Sequence, residues 1–309
     1  MINGTDIRSC ILKTLAYYDI FLYPLTTEEI FHNCSLPVSR EEIQNELETL
    51  LSEIKIFRHH SYYDLQNNAG IVERRIKGNE RAGREMEKAI IKAAHLSRFP
   101  YIRCIAVSGS LSKNYADENT DMDFFIITKA NRLWIARTFL HLNYKFKKIT
   151  GGRPSYCMNY YVDEEGLEIV EKNIFTATEI STLVPLYGGT TYQRFMQHNN
   201  WILDYLPQFK PAMLPVAKNN SFFKKIMETL FNNALGSLID KALMKGTDKR
   251  WQNKIKRQQK NQKGEPVSLC ASRHFSKPDP GYFQQKILNW YDEKTRSLID
   301  VALLSKPVQ

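Results

Sequence analysis

The sequence predicts an α+β fold, a mixed sheet flanked by helices, with helical units before and after it. Three observations carry that expectation. Short apolar and β-branched runs, Ile102–Val107, Phe124–Thr128 and Ser155–Val162, alternate with an amphipathic stretch from Asn131 to Lys148. Helix-start patterns precede them. After about residue 195 the hydrophobic period is helical.

The N-terminal elements follow in order. Ile7, Ile11, Leu12, Leu15 and Tyr18 keep a helical spacing. Thr26 stands three residues before Glu29, and Ser39 three before Glu42, so two helices are expected to open on capping boxes. The second carries Ile43, Leu47, Leu50, Leu51 and Ile54 on one face. Strand-like runs Ile54–Arg58 and Tyr62–Leu65 come next. Helices followed by a β-wing is the order of a winged helix-turn-helix, expected over residues 1–75. Charge opposes the DNA-binding role of that motif. Residues 1–65 hold ten acids and five bases, and the third helix carries Glu41, Glu42, Glu46, Glu48 and Glu53 against Arg40. Such a helix is repelled by phosphates, so a protein-contact or intramolecular role is expected.

Residues 76–99 read as a connecting helix, with apolar residues gathered late at Met86, Ala89, Ile90, Ala93 and Ala94. Residues 100–192 read as a catalytic-type core. Asp163-Glu164-Glu165-Gly166 has turn chemistry, which predicts Leu167–Val170 as a hairpin partner of the preceding strand. Residues 193–309 read as helical and basic, with helices over Phe195–Tyr205, Phe222–Met244 and Gln284–Leu304.

Composition bounds the function. The 43% hydrophobic and 25% charged residues are ordinary for a globular protein. No run of about 18 apolar residues exists, so no membrane span is expected. The N-terminus lacks a basic run before an apolar stretch, so a cytoplasmic chain is expected. Five scattered cysteines with no CxxC pair suggest neither a disulfide framework nor a structural zinc site. Residues 201–309 hold 19 Lys+Arg against 9 Asp+Glu, and the first 200 residues are balanced. The whole excess of +10 therefore lies in the last third. Within 241–263 stand nine bases and one acid, either a solvated helix face or a phosphate-binding strip.

The segment from Ser108 to Ile127 carries the chemistry. It reads strand, Gly109-Ser110, a polar loop, Asp121-Met122-Asp123, strand. Strand alternation puts Asp121 and Asp123 on one face, about 6.5–7 Å apart along the chain. Two carboxylates so placed repel unless a cation joins them, and Mg²⁺ is bound by one or two carboxylates plus substrate phosphates. Gly109 admits close approach of an anion to the backbone. Ser110 offers a hydroxyl and an N–H. Ser112 and Lys113 lie on the same turn, where a helix start would favour a phosphate. The parts describe a site for a metal-bound nucleoside triphosphate.

This pattern resembles the DNA polymerase beta-type nucleotidyltransferase superfamily, over residues ~100–190. The resemblance implies two Mg²⁺ ions held by Asp121 and Asp123, and Gly109 with Ser110 gripping the β- and γ-phosphates. It implies transfer of a nucleoside monophosphate to the hydroxyl of a small molecule, a protein or RNA, with pyrophosphate leaving. That family has a third carboxylate on a neighbouring strand. Here the strand Tyr156–Val162 has Asn159 where an acid is expected, with Asp163 or Glu164 at its end as substitutes. A catalytically weak nucleotide sensor or antitoxin-like partner protein, and a nucleic-acid-binding regulator using the basic tail, are the competing expectations.

Overall fold

The computed structural model describes residues 4–151, 156–212, 221–260, 264, 266, 269–278 and 282–304. The chain opens with α1 (Gly4–Asp19), β1 (Leu25–Thr26), α2 (Thr27–Asn33), α3 (Arg40–Ser52), β2 (Phe57–His59) and β3 (Tyr62–Asp64). Both capping boxes form. Thr26 accepts from the Glu29 N–H and Ser39 from the Glu42 N–H, while each glutamate returns the bond to its cap. The three strands form an antiparallel sheet in the order β1-β3-β2. Ile11, Leu15, Ile30, Ile43, Leu47 and Leu50 are buried between the helices. Ile54 does not continue the α3 stripe. The helix stops at Ser52, and Ile54 turns outward at φ +55 with 73% of its surface exposed.

Cysteine spacing misleads here. Cys10 of α1 and Cys34, which ends α2, are joined as a disulfide within that core. Twenty-four residues separate them in sequence. Only the packing of α1 beside α2 brings them together, and a motif search has no handle on that.

The 28-residue helix α4 (Ala69–Leu96) leads to a six-stranded mixed sheet. Its strands are β4 (Ile102–Ser108), β5 (Met122–Thr128), β6 (Tyr156–Asp163), β7 (Val184–Tyr187), β8 (Leu269–Ala271) and β9 (Phe275–Pro278). Their spatial order is β7-β4-β5-β6-β9-β8. Only β5 and β6 run parallel among these pairs. A parallel pair needs a crossover, and α6 (Leu133–Ile149) supplies it.

Side chains alternate across this sheet. Val107, Phe124, Ile126 and Tyr161 enter one core, under α4 and α6. Cys104, Ala106, Phe125, Ile127 and Val162 enter a second core on the other face. That second face is covered by α7 (Ile174–Ser181), α8 (Gly189–His198) and the 3-10 turn Asn200–Asp204. Gly188 joins β7 to α8 at φ +83, where a Cβ would stand 1.9 Å from the Arg103 carbonyl oxygen.

Two expectations for this region fail. Leu167–Val170 forms no strand, because the free edge of β6 is taken by β9 instead, with Tyr161 opposite Ser276. After its turn the chain leaves the sheet, and the Ile169 N–H is claimed by the Asn199 side chain. The last third is therefore not wholly helical: β8 and β9 form a hairpin that completes the central sheet. The predicted helix Phe222–Met244 is two helices, α9 (Phe222–Phe231) and α10 (Ala234–Lys256), with Asn233 capping the second. Phe195–Tyr205 likewise splits into α8 and the 3-10 turn. The terminal helix α11 (Phe283–Leu304) returns to α1, where Tyr291 meets Tyr17 ring to ring at 5.8 Å.

Candidate active site at the β4–β5 junction

The antiparallel register sets Ser108, the last residue of β4, opposite Asp123 near the start of β5. The chain then turns at Gly109, φ +70, into the single turn α5 (Gly109–Ser112). A Cβ at position 109 would lie 2.6 Å from Asp123 Oδ2, and the left-handed φ favours glycine there, so another residue would be strained and would push the carboxylate aside. The Ser112 hydroxyl donates to the Gly109 carbonyl at 2.8 Å and tightens the turn. One turn has little macrodipole. What α5 presents is the Ser110 hydroxyl and backbone rather than a helix field.

Asp121 precedes the strand and is exposed. Its carboxylate stands 3.9 Å from the Cys157 Sγ, and Cys157 is paired in register with Asp123. Asp121 therefore reaches the strand pair that carries Asp123 through Cys157, from a position before the strand where alternation does not fix its face. The pairing of β5 with β6 shifts between Phe124 and Phe125, so Met158 and Tyr160 pair while Asn159 falls in the irregularity. The Asn159 side chain lies outside the described residues. Cys157 and Tyr160 are the β6 residues paired with Asp123 and Phe125 on the site face, and neither is an acid.

Asp163 is no substitute. It pairs with Thr128 at the opposite end of β6. Its carboxylate is fully buried, accepting from the Asn131, Glu165 and Gly166 N–H groups and meeting His274 Nδ1 at 3.0 Å. Glu164 reaches toward Arg194 at that same end. Among the described residues, no three metal-ligating side chains gather in one place.

Next to the Gly109 turn lies a cavity of about 600 Å³. Ser110, Lys113 and Asp123 line its polar end. Its walls are aromatic: Phe125 and Tyr160 from the sheet, Phe175 from α7, Phe283 from α11. Tyr18, Phe21 and Tyr23 come from the end of α1 and the loop after it. The Tyr23 hydroxyl donates to the Lys113 carbonyl at 2.8 Å, tying that loop to the turn. The N-terminal unit is thus a wall of the cavity. The α3 acids are engaged too: Glu46 and Glu53 hold Arg8, and Glu48 holds Arg58.

Lys113 faces the cavity but is not an uncommitted cation. Its ammonium donates to Glu179 Oε1 at 2.8 Å and to the Gly109 carbonyl at 3.2 Å. Lys277 of β9, on the same cavity, meets Glu171 at 3.3 Å. Sequence reasoning missed Glu179, Lys277 and Tyr160. Glu179 lies in the last turns of α7, and Lys277 reaches the site through a β6–β9 pairing that periodicity does not reveal.

No known family's model matches the chain, and neither a curated protein nor a solved structure matches it.

Proposed function

We propose that this protein is a Mg²⁺-dependent nucleotidyltransferase that moves a nucleoside monophosphate from a triphosphate to an acceptor hydroxyl. The observation that carries the reading is the Gly109 turn held against the Asp123 carboxylate by the β4–β5 register, at the mouth of an aromatic cavity. The order α1-β1-α2-α3-β2-β3 supports a winged-helix-like N-terminal unit. The mixed sheet with its Gly-Ser turn supports a nucleotidyltransferase-like core.

Two carboxylates fit a hard divalent ion that completes its shell with substrate phosphates and water. Bound there, the ion would neutralise the triphosphate and favour the pyrophosphate leaving group. Asp121 and Asp123 would hold it. Gly109 would let the phosphates approach the backbone, and Ser110 would donate to them. Lys113, braced by Glu179, would hold the turn rather than neutralise a phosphate. The acceptor hydroxyl would give its proton to solvent as its oxygen bonds to the α-phosphorus and the bond to the pyrophosphate oxygen breaks. The volume and aromatic walls of the cavity suit one nucleotide-sized molecule with a stacking face.

Pyrophosphate release from each ribonucleoside triphosphate, measured with Mg²⁺ and a metabolite and RNA extract, tests the proposal. Release that needs the extract and vanishes in Asp121→Ala/Asp123→Ala is expected. Release that survives the double substitution would overturn the site.

One observation favours a second reading. Cys157 and Tyr160 place no acid beside Asp123, where the resembled family carries its third carboxylate. A nucleotide sensor would bind triphosphate with Mg²⁺, by calorimetry, and release no pyrophosphate.

A further inference from the structure

The opposite face of the central sheet carries a second cavity, of about 510 Å³, between α6 and α10. Helical spacing builds it. Arg137, His141 and Lys145 recur every fourth residue along α6. Thr247, Arg250, Trp251 and Lys254 form the matching stripe on α10. Met158, whose partner Phe124 points away from the Asp123 face, closes the floor with Leu269 of β8.

The charges here are of one sign. Four permanent cations and a histidine surround the cavity, and no carboxylate among the described residues lines it. No ion pair involving Arg137, Lys145, Arg250 or Lys254 exists among the described residues. Arg103 and Arg75, by contrast, are matched by Glu228 and Glu29. Arg137 is the most costly of the four. Its guanidinium lies over the Trp134 and Trp251 rings, at 5.6 and 4.9 Å, and its Arg250 neighbour adds like-charge repulsion. Burial lowers the His141 pKa, and Arg137, Lys145, Arg250 and Lys254 each lower it further. All four cations therefore act on one point. Their like charges repel, most at the half-buried Arg137, and an anion among them would turn that repulsion into attraction.

We infer that the α6–α10 cavity is a second ligand site, which takes the polyphosphate group of a small molecule. A longer nucleic acid is the less fitting ligand, because the cations converge on one cavity instead of spreading at phosphate spacing along a groove. This site does not depend on the proposed transferase chemistry, because it lies across the sheet from Asp123.

The test is calorimetric titration of the full chain with tripolyphosphate and with ATP, in EDTA and in the Asp121→Ala/Asp123→Ala background. Saturable binding that weakens with salt is expected. Lys145→Glu/Arg250→Glu/Lys254→Glu should weaken it about tenfold or more, the loss of at least one charge-assisted hydrogen bond. These three side chains are exposed. Should the charge-reversed chain fold poorly by circular dichroism, Arg250→Gln/Lys254→Gln makes the same comparison with less repulsion. Binding should also raise the His141 pKa, followed by NMR of its ring. ATP binding more tightly than tripolyphosphate would identify a nucleotide; equal affinity would identify the phosphate chain as the recognised part. Affinity unchanged by both sets of substitutions overturns the proposal, as does the absence of saturable binding. A single-stranded RNA 12-mer that binds through the same residues more tightly than either probe also overturns it, in favour of a nucleic-acid strip.

Discussion

The two faces of the central sheet treat charge in opposite ways. On the face of Asp123, Phe125 and Tyr160, the cations at the cavity have partners: Lys113 holds Glu179, and Lys277 holds Glu171. On the face of Phe124 and Met158, four cations meet with no carboxylate among them in the described residues. One strand register separates the two, because successive residues of β5 point to opposite sides. Net charge alone does not distinguish these faces. What distinguishes them is whether the cations at each cavity have an internal counter-charge.

The largest test of this contrast is a double dissociation. Asp121→Ala/Asp123→Ala should reduce pyrophosphate release to background and leave tripolyphosphate affinity unchanged. The α6–α10 charge reversals should do the reverse. Loss of both functions in either variant, with the fold intact, would mean that the faces are one site.

Next comes the seam that both faces share. Asp163→Ala removes a fully buried carboxylate that gathers three N–H groups and His274 at the β6–β9 join. Breaking such a set should cost about 3 kcal/mol of unfolding free energy, read by urea denaturation. Both functions should then fall together. A change under about 1 kcal/mol would show that the seam is held elsewhere.

Gly109→Ala acts on one face only. The added methyl would need a left-handed conformation and would displace the Asp123 carboxylate. A shift of this kind should lower turnover about 10²-fold, with the α6–α10 face unaffected. Wild-type turnover would mean that Asp123 is not positioned by this turn.

The last effect concerns a buried cation beside β4. Lys224 donates to the Ser97 and Ile102 carbonyls, and burial brings its pKa from 10.5 to about 8, with Arg103 adding to the fall and Glu228 opposing it. The unfolded chain keeps that proton up to pH 10.5, whereas the folded chain releases it near 8. Stability should therefore rise with pH across that window. The melting-temperature difference between wild type and Lys224→Met should move in favour of wild type from pH 8 to 10.5. A flat difference would place Lys224 in a wetter site.

What the sequence displayed depends on the range of the interaction that decides each element. Thr26 with Glu29 and Ser39 with Glu42 act within one helical turn, so both starts were readable. The Gly109–Asp123 arrangement was readable because two apolar runs flank it and the strands they form are neighbours. The β8–β9 hairpin was not. Leu269–Ala271 and Phe275–Pro278 are short and flanked by polar residues, and their strand state is fixed by the distant edge of β6. The assignment of Leu167–Val170 to that edge failed for the same reason. The basic cavity was half readable. The α10 charges stand out, but Arg137, His141 and Lys145 are hidden in an amphipathic helix until the two stripes face each other.

The late arrival of β9 also bears on how the chain is made. Asp163 and His274 are 111 residues apart, so the β6 edge has no partner until the last third has been synthesised. At ribosomal speeds that interval is roughly 5–20 s. An open strand edge exposed for that long invites pairing with other chains. The nascent protein thus has a window of aggregation risk that the finished fold closes, and slow translation through the basic α10 segment would lengthen it.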